Sequence, residues 1–116
     1  MHRLQLNYCD GIGIMTNGRP VKKRVIHKSP ESFRFSPRGQ KGKPRGVILK
    51  MEEFEALRLA DYDVRKHASA AECMKISRQT FEKILKNARK KVSDALVNGK
   101  IIKIWGGCYD FGDMER

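Results

Sequence analysis

The chain has 116 residues, of which 40% are hydrophobic, so it can form one small domain with a modest core but not two domains. Its 25 Lys and Arg residues outnumber its 13 Asp and Glu residues, which gives a formal net charge of +12 at pH 7. This charge favours a polyanionic partner, nucleic acid ahead of an anionic membrane surface. No run of about 18 apolar residues is present, so no membrane span is predicted.

The cysteines and histidines predict neither a metal site nor a cofactor. Cys9, Cys73 and Cys108 are far apart and odd in number, a pattern that favours reduced thiols in a cytosol over a disulfide framework. No C-x-x-C or H-x-x-x-H pair is present, although structural zinc normally needs such spacing. The catalytic patterns G-x-S-x-G and H-E-x-x-H and the Walker loop are absent too. We therefore expect a cytoplasmic binding protein and not an enzyme.

The N-terminal third is predicted to lack helices. Residues 1–17 contain the stretch GIGIMTNG without a phosphate-loop lysine, and we interpret them as a flexible leader. Residues 18–46 form an extended basic arm, in which four prolines prevent a long helix. Lys22, Lys23 and Arg24 of this arm are candidates for contacts with nucleic-acid phosphates. The stretch 38–46 is either part of such an arm or a solvated linker.

Residues 47–107 carry the pattern of a folded domain. The β-branched run 47–49 predicts a short strand, and residues 52–61 predict a first helix with Phe54, Leu57 and Ala60 on its apolar face. The acidic residues of this helix fall mainly in its first turn, where the helix dipole favours them. We expect them to be solvated and not to form a metal or acid–base site.

Two further helices and one strand follow. Residues 66–74 are rich in alanine and predict the second helix. Residues 77–97 predict a third helix ended by Asn98-Gly99. Its apolar positions recur at three- and four-residue steps: Phe81, Ile84, Leu85, Ala88, Val92, Ala95 and Leu96. Residues 101–105 predict a strand that pairs with 47–49, and residues 108–116 are assigned to a flexible tail.

The most informative stretch, AAECMKISRQTFEKIL over residues 70–85, predicts two helices joined by a tight turn. Small residues would allow a close crossing, and Ser77 is placed to cap the third helix. Arg78, Gln79 and Thr80 would project from its leading end, where helices of this kind meet base edges in the major groove. Candidates for phosphate contacts near this end are Ser77, Lys75, Lys83 and Lys86.

These features predict a mainly α, three-helix helix-turn-helix domain with a basic extended N-terminal arm and a two-stranded β clasp. The runs EEFEALRLADYD, AAECMKISRQTFEKIL and ARKKVSDALVNGKIIKIWGG resemble the uncharacterised protein family 0251, also described as domain of unknown function 134. The basic arm GRPVKKRVI and the stretch FRFSP resemble the N-terminal segment of that family. The resemblance covers residues 18–107 and is most specific over residues 52–107.

The resemblance carries an expectation about function. The helix-turn-helix of this family is similar to the domain with which bacterial sigma factors read the upstream promoter element. The resemblance therefore implies that this chain binds duplex DNA and regulates transcription in the nucleoid. Residues 77–80 would then lie at the start of the reading helix. Ala71, Met74, Ile76, Phe81 and Ile84 would form its core.

Three positions depart from the family pattern. Lys75 and Val64 stand where glycine is usual, so both must accept an unfavourable backbone conformation. Lys66 stands where a Ser or Thr cap is common.

Two other functions remain open from the sequence. The chain could bind RNA or single strands without sequence specificity, although its aromatic content is low. It could also act as a protein-interaction module that docks on RNA polymerase. A homodimer is compatible with each of the three functions.

Overall fold

A computed structural model describes residues 15–16, 19–20, 23–39 and 45–112 of the chain. These residues form a mainly α-helical domain with small β-sheets, and the three predicted helices are confirmed to within a few residues. The helices are α1 (Met51–Leu57), α2 (His67–Cys73) and α3 (Arg78–Asn98), and a π-helical segment (Arg58–Tyr62) continues α1. The strands are β1 (Met15–Thr16), β2 (Arg19–Pro20), β3 (Arg24–Ile26), β4 (Arg34–Phe35), β5 (Gly46–Leu49), β6 (Ile101–Ile104) and β7 (Tyr109–Phe111). Among the described helices, none is long and apolar enough to cross a bilayer.

The predicted pairing of the strands that flank the helices is confirmed. Strands β5 and β6 run parallel, with Leu49 opposite Ile104. Parallel strands need a long crossover connection, and here the three helices provide it. The predicted two-stranded clasp is nevertheless incomplete, because β4 pairs antiparallel with the other edge of β6 and makes a three-stranded sheet. The alternation of Phe33 and Phe35 with polar residues is compatible with a short extended segment, but its pairing with β6 has no local signal because the two strands are far apart in the chain.

A second sheet joins a segment that precedes the helices to one that follows them. Strand β3 pairs parallel with β7. Residues 109–111 therefore belong to a strand, and their assignment to a flexible tail was wrong. Strand β3 likewise belongs to the folded domain, since Ile26 and Tyr109 are both buried in its core. The tail prediction failed because three residues among glycines carry no period, and their partner lies more than 80 positions away. Residues 113–116 and nearly all of the predicted leader lie outside the described residues.

Helix α3 connects two clusters of buried side chains. Its N-terminal half contributes Phe81, Ile84 and Leu85 to a cluster with α2 and the π-helical segment. Further along, Ala88 packs in the cluster that contains the strands. The predicted apolar stripe is therefore confirmed over most of its length. The prediction that Leu96 belongs to it is wrong, because Leu96 lies in the last turn and is exposed. Gly99 ends the helix in the left-handed conformation, as Asn98-Gly99 predicted.

The acidic residues of α1 are buried, which contradicts the expectation that they are solvated. Glu52, Glu53 and Glu55 are only 5%, 4% and 0% exposed. Each carboxylate accepts hydrogen bonds that replace its hydration, and each binds a different part of the chain. Sequence alone could not show this, because most of the donors are distant in the chain.

Two of these carboxylates attach α1 to the rest of the fold. Glu52 accepts a hydrogen bond from the backbone N–H of Cys108 (3.1 Å). Gly107 allows this approach, because a side chain there would collide with the Glu52 carboxylate and its backbone has a φ of 107°. Glu53 Oε1 accepts hydrogen bonds from the backbone N–H of Lys50 (2.9 Å) and from Lys91 Nζ of α3 (2.8 Å).

The state of the cysteines differs from the expectation at one position. Cys73 is a free thiol, but Cys108 is disulfide-bonded. Spacing along the chain does not reveal such a bond, because a disulfide requires only that two cysteines meet in the fold.

Burial makes the stability contributed by Glu52 sensitive to pH. Burial raises the pKa of Glu52 above its usual value of 4.5, with the hydrogen bonds to its carboxylate and the charge of Arg24 opposing the shift. The folded state therefore holds the Glu52 proton to a higher pH than the unfolded state does. We expect the wild type to lose stability relative to Glu52→Gln as the pH rises from about 4.5 through the raised pKa. Urea unfolding of both proteins between pH 4 and 8 measures this difference, and a relative gain by the wild type would contradict it.

Val64 confirms the expected unfavourable backbone at this position. Its φ is 55°, in the left-handed region that β-branched residues avoid, and its side chain is 79% exposed. Val64→Gly should raise the free energy of unfolding by about 1 kcal/mol, since the strain exceeds the entropic cost of glycine. Val97→Gly is the matched control, because Val97 is equally exposed but helical and should lose stability. Urea denaturation distinguishes the two, and a loss in both variants would show that the Val64 backbone is not strained.

Candidate functional site

Helices α2 and α3 cross closely, as the sequence predicted. Ala70 and Ala71 of α2 are 0% and 3% exposed, and they pack with Met74 and Phe81 in one buried cluster. Ile76 of the intervening turn packs against the same cluster and is partly buried. Short side chains at the crossing let the backbones approach, so the start of α3 is fixed rigidly on α2.

The turn between the two helices has a defined hydrogen-bond pattern. The backbone N–H of Ile76 donates to Ala71 O (3.0 Å), and that of Lys75 donates to Glu72 O (3.1 Å). This is the pattern of a Schellman motif, in which the residue after the cap takes the left-handed conformation usual for glycine. Lys75 occupies that position with a φ of 58°, as its departure from the family pattern predicted. Its side chain is exposed beside the start of α3.

Strand β3 and the residue after it hold the end of α2. The backbone N–H of Val25 donates to Met74 O (3.0 Å), and His27 Nε2 lies 2.8 Å from Cys73 O. These contacts satisfy carbonyl groups that a helix end leaves without partners inside the helix. Part of the predicted basic arm therefore supports the turn, a role that the sequence did not indicate.

Two of the arm residues predicted to contact phosphates lie near carboxylates of the fold. Arg24 is half-buried near Glu52, and burial lowers the pKa of its guanidinium despite the charge of that carboxylate. Lys23 Nζ, just before β3, lies 3.6 Å from Asp110 Oδ1 of β7. Lys22 lies outside the described residues. Arg24 lies on the same face of β3 as the buried Ile26, because side chains two residues apart in a strand point the same way.

Ser77 caps α3 as predicted. Its Oγ accepts a hydrogen bond from the backbone N–H of Thr80 (3.1 Å), and its hydroxyl donates to Thr80 Oγ1 (2.9 Å). Thr80 is partly buried. Both hydroxyl groups are thus engaged in the cap, so they are less available for a ligand than Arg78 and Gln79.

The leading end of α3 presents an exposed polar surface. The side chain of Arg78 is 66% exposed, and Gln79, Lys83 and Lys86 are exposed as well. A shallow groove of about 420 Å³ is lined by Gln79, Glu82, Lys83 and Lys86. Lys75, Lys83, Lys86 and Lys90 form no ion pair with the described residues. Four ammonium groups near one helix are therefore available to an anionic ligand.

Glu82 is a member of this surface that sequence reasoning missed. Its Oε2 atom accepts a hydrogen bond from Arg78 Nε (3.1 Å) and lies 3.2 Å from His67 Nδ1 at the start of α2. Because a carboxylate can only accept, the His67 nitrogen is the donor. The bonds from His67 and, secondly, Arg78 hold the pKa of Glu82 below its usual value. The only sequence signal was the spacing of four between Arg78 and Glu82.

Other basic residues of α3 are used inside the fold. Arg89 binds both carboxylate oxygens of Asp61 in the π-helical segment, at 2.7 and 3.1 Å. The hydrogen bond from Arg89 is the main reason that the pKa of Asp61 is lowered. Lys91 is bound to Glu53 and to the Ile48 carbonyl oxygen. Some basic residues of α3 thus pair with carboxylates of the fold, whereas others have no such partner among the described residues.

Among the described residues, no group of three or more His, Cys, Asp or Glu side chains is arranged to hold a metal ion.

The fold and this surface define a small, mainly α-helical protein with a basic exposed helix end. The family described as "Protein of unknown function DUF134" matches residues 14–112, and the chain belongs to this family. The chain is 52% identical over 93 residues to a UPF0251 protein of Methanococcus vannielii, covering 79% of this chain and 72% of that protein. It is also 52% identical over 91 residues to a UPF0251 protein of Chlorobaculum tepidum, covering 78% of this chain and 60% of that protein. No solved structure matches the chain.

The Ser77 cap generates a stability prediction. Ser77→Ala should lower the free energy of unfolding by about 1 kcal/mol, because the first N–H groups of α3 lose their acceptor. Ser69→Ala is the matched control, since Ser69 lies exposed inside α2, where alanine is the better helix former. Chemical denaturation followed by circular dichroism measures both. Equal effects of the two substitutions would show that Ser77 does not act as a cap.

Proposed function

We propose that this protein binds duplex DNA and regulates transcription, with α2, the turn and α3 acting as a helix-turn-helix motif. In this proposal the leading end of α3 enters the major groove. The observation that carries it is the joint exposure of Arg78 and Gln79 on a capped helix end held rigidly by a close helix crossing. Helices of this kind read base edges with residues of their first turns.

The side chains at this end match the chemistry of base recognition. An arginine can donate two hydrogen bonds to guanine O6 and N7, and a glutamine can bind adenine N6 and N7. Arg78 and Gln79 therefore take the base-reading role in the proposal. Thr80 accepts a hydrogen bond from Ser77 but keeps its own O–H donor, so in the proposal it contacts a phosphate or a thymine methyl group.

Electrostatics would supply most of the affinity. Lys75, Lys83 and Lys86 are exposed around the leading end of α3 and pair with none of the described carboxylates. Contacts from such side chains to phosphates position a protein on DNA without reading its sequence. With about six phosphate contacts, the affinity should fall roughly a thousandfold between 50 and 200 mM salt. Lys23 and Arg24 lie near carboxylates of the fold, so the lysines around α3 are the main candidates for these contacts in the proposal.

The competing functions give different outcomes in one competition experiment. A labelled preferred duplex is challenged with random duplex, single-stranded DNA and RNA at physiological salt. Competition by the preferred duplex alone supports the proposal. Equal competition by all nucleic acids would favour a non-specific binder, and no binding at all would favour a module that docks on RNA polymerase or another protein.

Two substitutions separate base reading from phosphate contact. Arg78→Ala should relax base preference by about tenfold at one position, since each mismatched base pair typically costs 1–3 kcal/mol. Lys86→Ala should weaken binding to all duplexes about equally and reduce the salt slope by about 1. Quantitative binding to a panel of single-base variants measures both effects. Arg34→Ala removes the same charge from β4 and should leave base preference unchanged. Uniform loss in the Arg78 variant would remove Arg78 from the base-reading role.

A further inference from the structure

Arg78 and Glu82 form a pair whose unused hydrogen-bonding groups face solvent. Arg78 donates its Nε–H to Glu82 Oε2, and its two terminal amino groups have no partner among the described residues. Glu82 receives both of its bonds at Oε2, so within the described part of the chain its Oε1 atom accepts none. The two side chains are 66% and 45% exposed. The pair therefore offers two donors and one acceptor.

Stability of the fold does not account for this arrangement. Exposed ion pairs contribute little to folding, and an arginine that precedes its glutamate by four residues has the less favourable order in a helix. Glu82 is also held from the other side by His67 of α2, whose ring contacts the buried Phe81 at a centroid distance of 5.5 Å. The carboxylate is thus fixed by two helices, and it in turn restricts the rotamers of Arg78.

The negative charge of Glu82 limits which ligand groups can bind at this surface. Glu82 lines the groove with Gln79, Lys83 and Lys86, so it lies among the side chains proposed to face DNA. A carboxylate repels phosphates, and it is unfavourable in such an interface unless a donor approaches it. In the major groove the amino group of cytosine N4 is a donor of this kind.

We propose that Arg78 and Glu82 read one G·C base pair as a unit, an inference that rests on the proposed DNA-binding function. The edge of a G·C pair presents the guanine acceptors N7 and O6 and then the cytosine N4 donor. The terminal amino groups of Arg78 complement the guanine, and Glu82 Oε1 complements the cytosine. Glu82 is therefore both a base-reading residue and the residue that positions Arg78, and His67 holds it in place.

The test is selection of preferred duplexes from a random pool, followed by affinity measurements on single-base variants, with the full chain. Glu82→Gln keeps an oxygen that can accept from Arg78 but can replace the free acceptor with an amide donor. Its preference for one G·C pair should fall about fivefold or more, while the other positions of the site keep theirs. Arg78→Ala should lose preference at the same pair. The double variant should lose no more there than Arg78→Ala does, since the two residues act together.

A matched control separates this effect from a change of charge or fold. Glu72→Gln removes the same charge from an exposed position of α2 and should leave every base preference unchanged. Thermal unfolding of all variants checks that the fold persists. An unchanged preference in Glu82→Gln, or an equal loss on all sequences, would overturn the inference and leave the proposed function intact. A wild-type chain that selects no duplex would overturn both.

Discussion

The buried carboxylate of Glu55 connects α1 to the segment that follows β3 and, through His27, to the end of α2. Its two oxygens accept hydrogen bonds from Arg58, each at 2.9 Å, and Oε2 also accepts the backbone N–H of His27. His27 then reaches the Cys73 carbonyl at the end of α2. Leaving such a buried charge without its partners would be strongly destabilising, so these bonds constrain α1, β3 and the turn together. The position of the leading end of α3 depends on this constraint.

The neighbouring carboxylates of α1 also connect this helix to distant segments through hydrogen bonds. Glu52 binds the backbone before β7, and Glu53 binds Lys91 of α3. Helix α1 has only 7 residues, too few to be stable alone in water. It becomes a central element because its acidic residues bind three different segments, while its apolar residues pack against α3 and the strands.

The pairing of cations with carboxylates of the fold determines which charges remain available at the surface. Several cations of the chain, such as Arg24, Arg89 and Lys91, lie near or pair with carboxylates of the fold. Lys83 and Lys86, which lie beside the Arg78–Glu82 pair, form no ion pair with the described residues. A net charge of +12 thus says little about where an anionic ligand would bind. The place where an anionic ligand would bind depends on which cationic side chains the fold leaves without a carboxylate partner.

The sequence by itself determined the three helices, the Ser77 cap and the pairing of residues 47–49 with the strand predicted over 101–105. These features follow from local periodicity, capping chemistry and short runs of β-branched residues, all of which are written within a few neighbouring positions. Only the tertiary structure decided that Glu55 is buried, that β3 supports the turn, and that Glu82 holds Arg78 together with His67. Each of these depends on partners from another element, and the free energy of burying a charge is set by the donors that the fold brings to it.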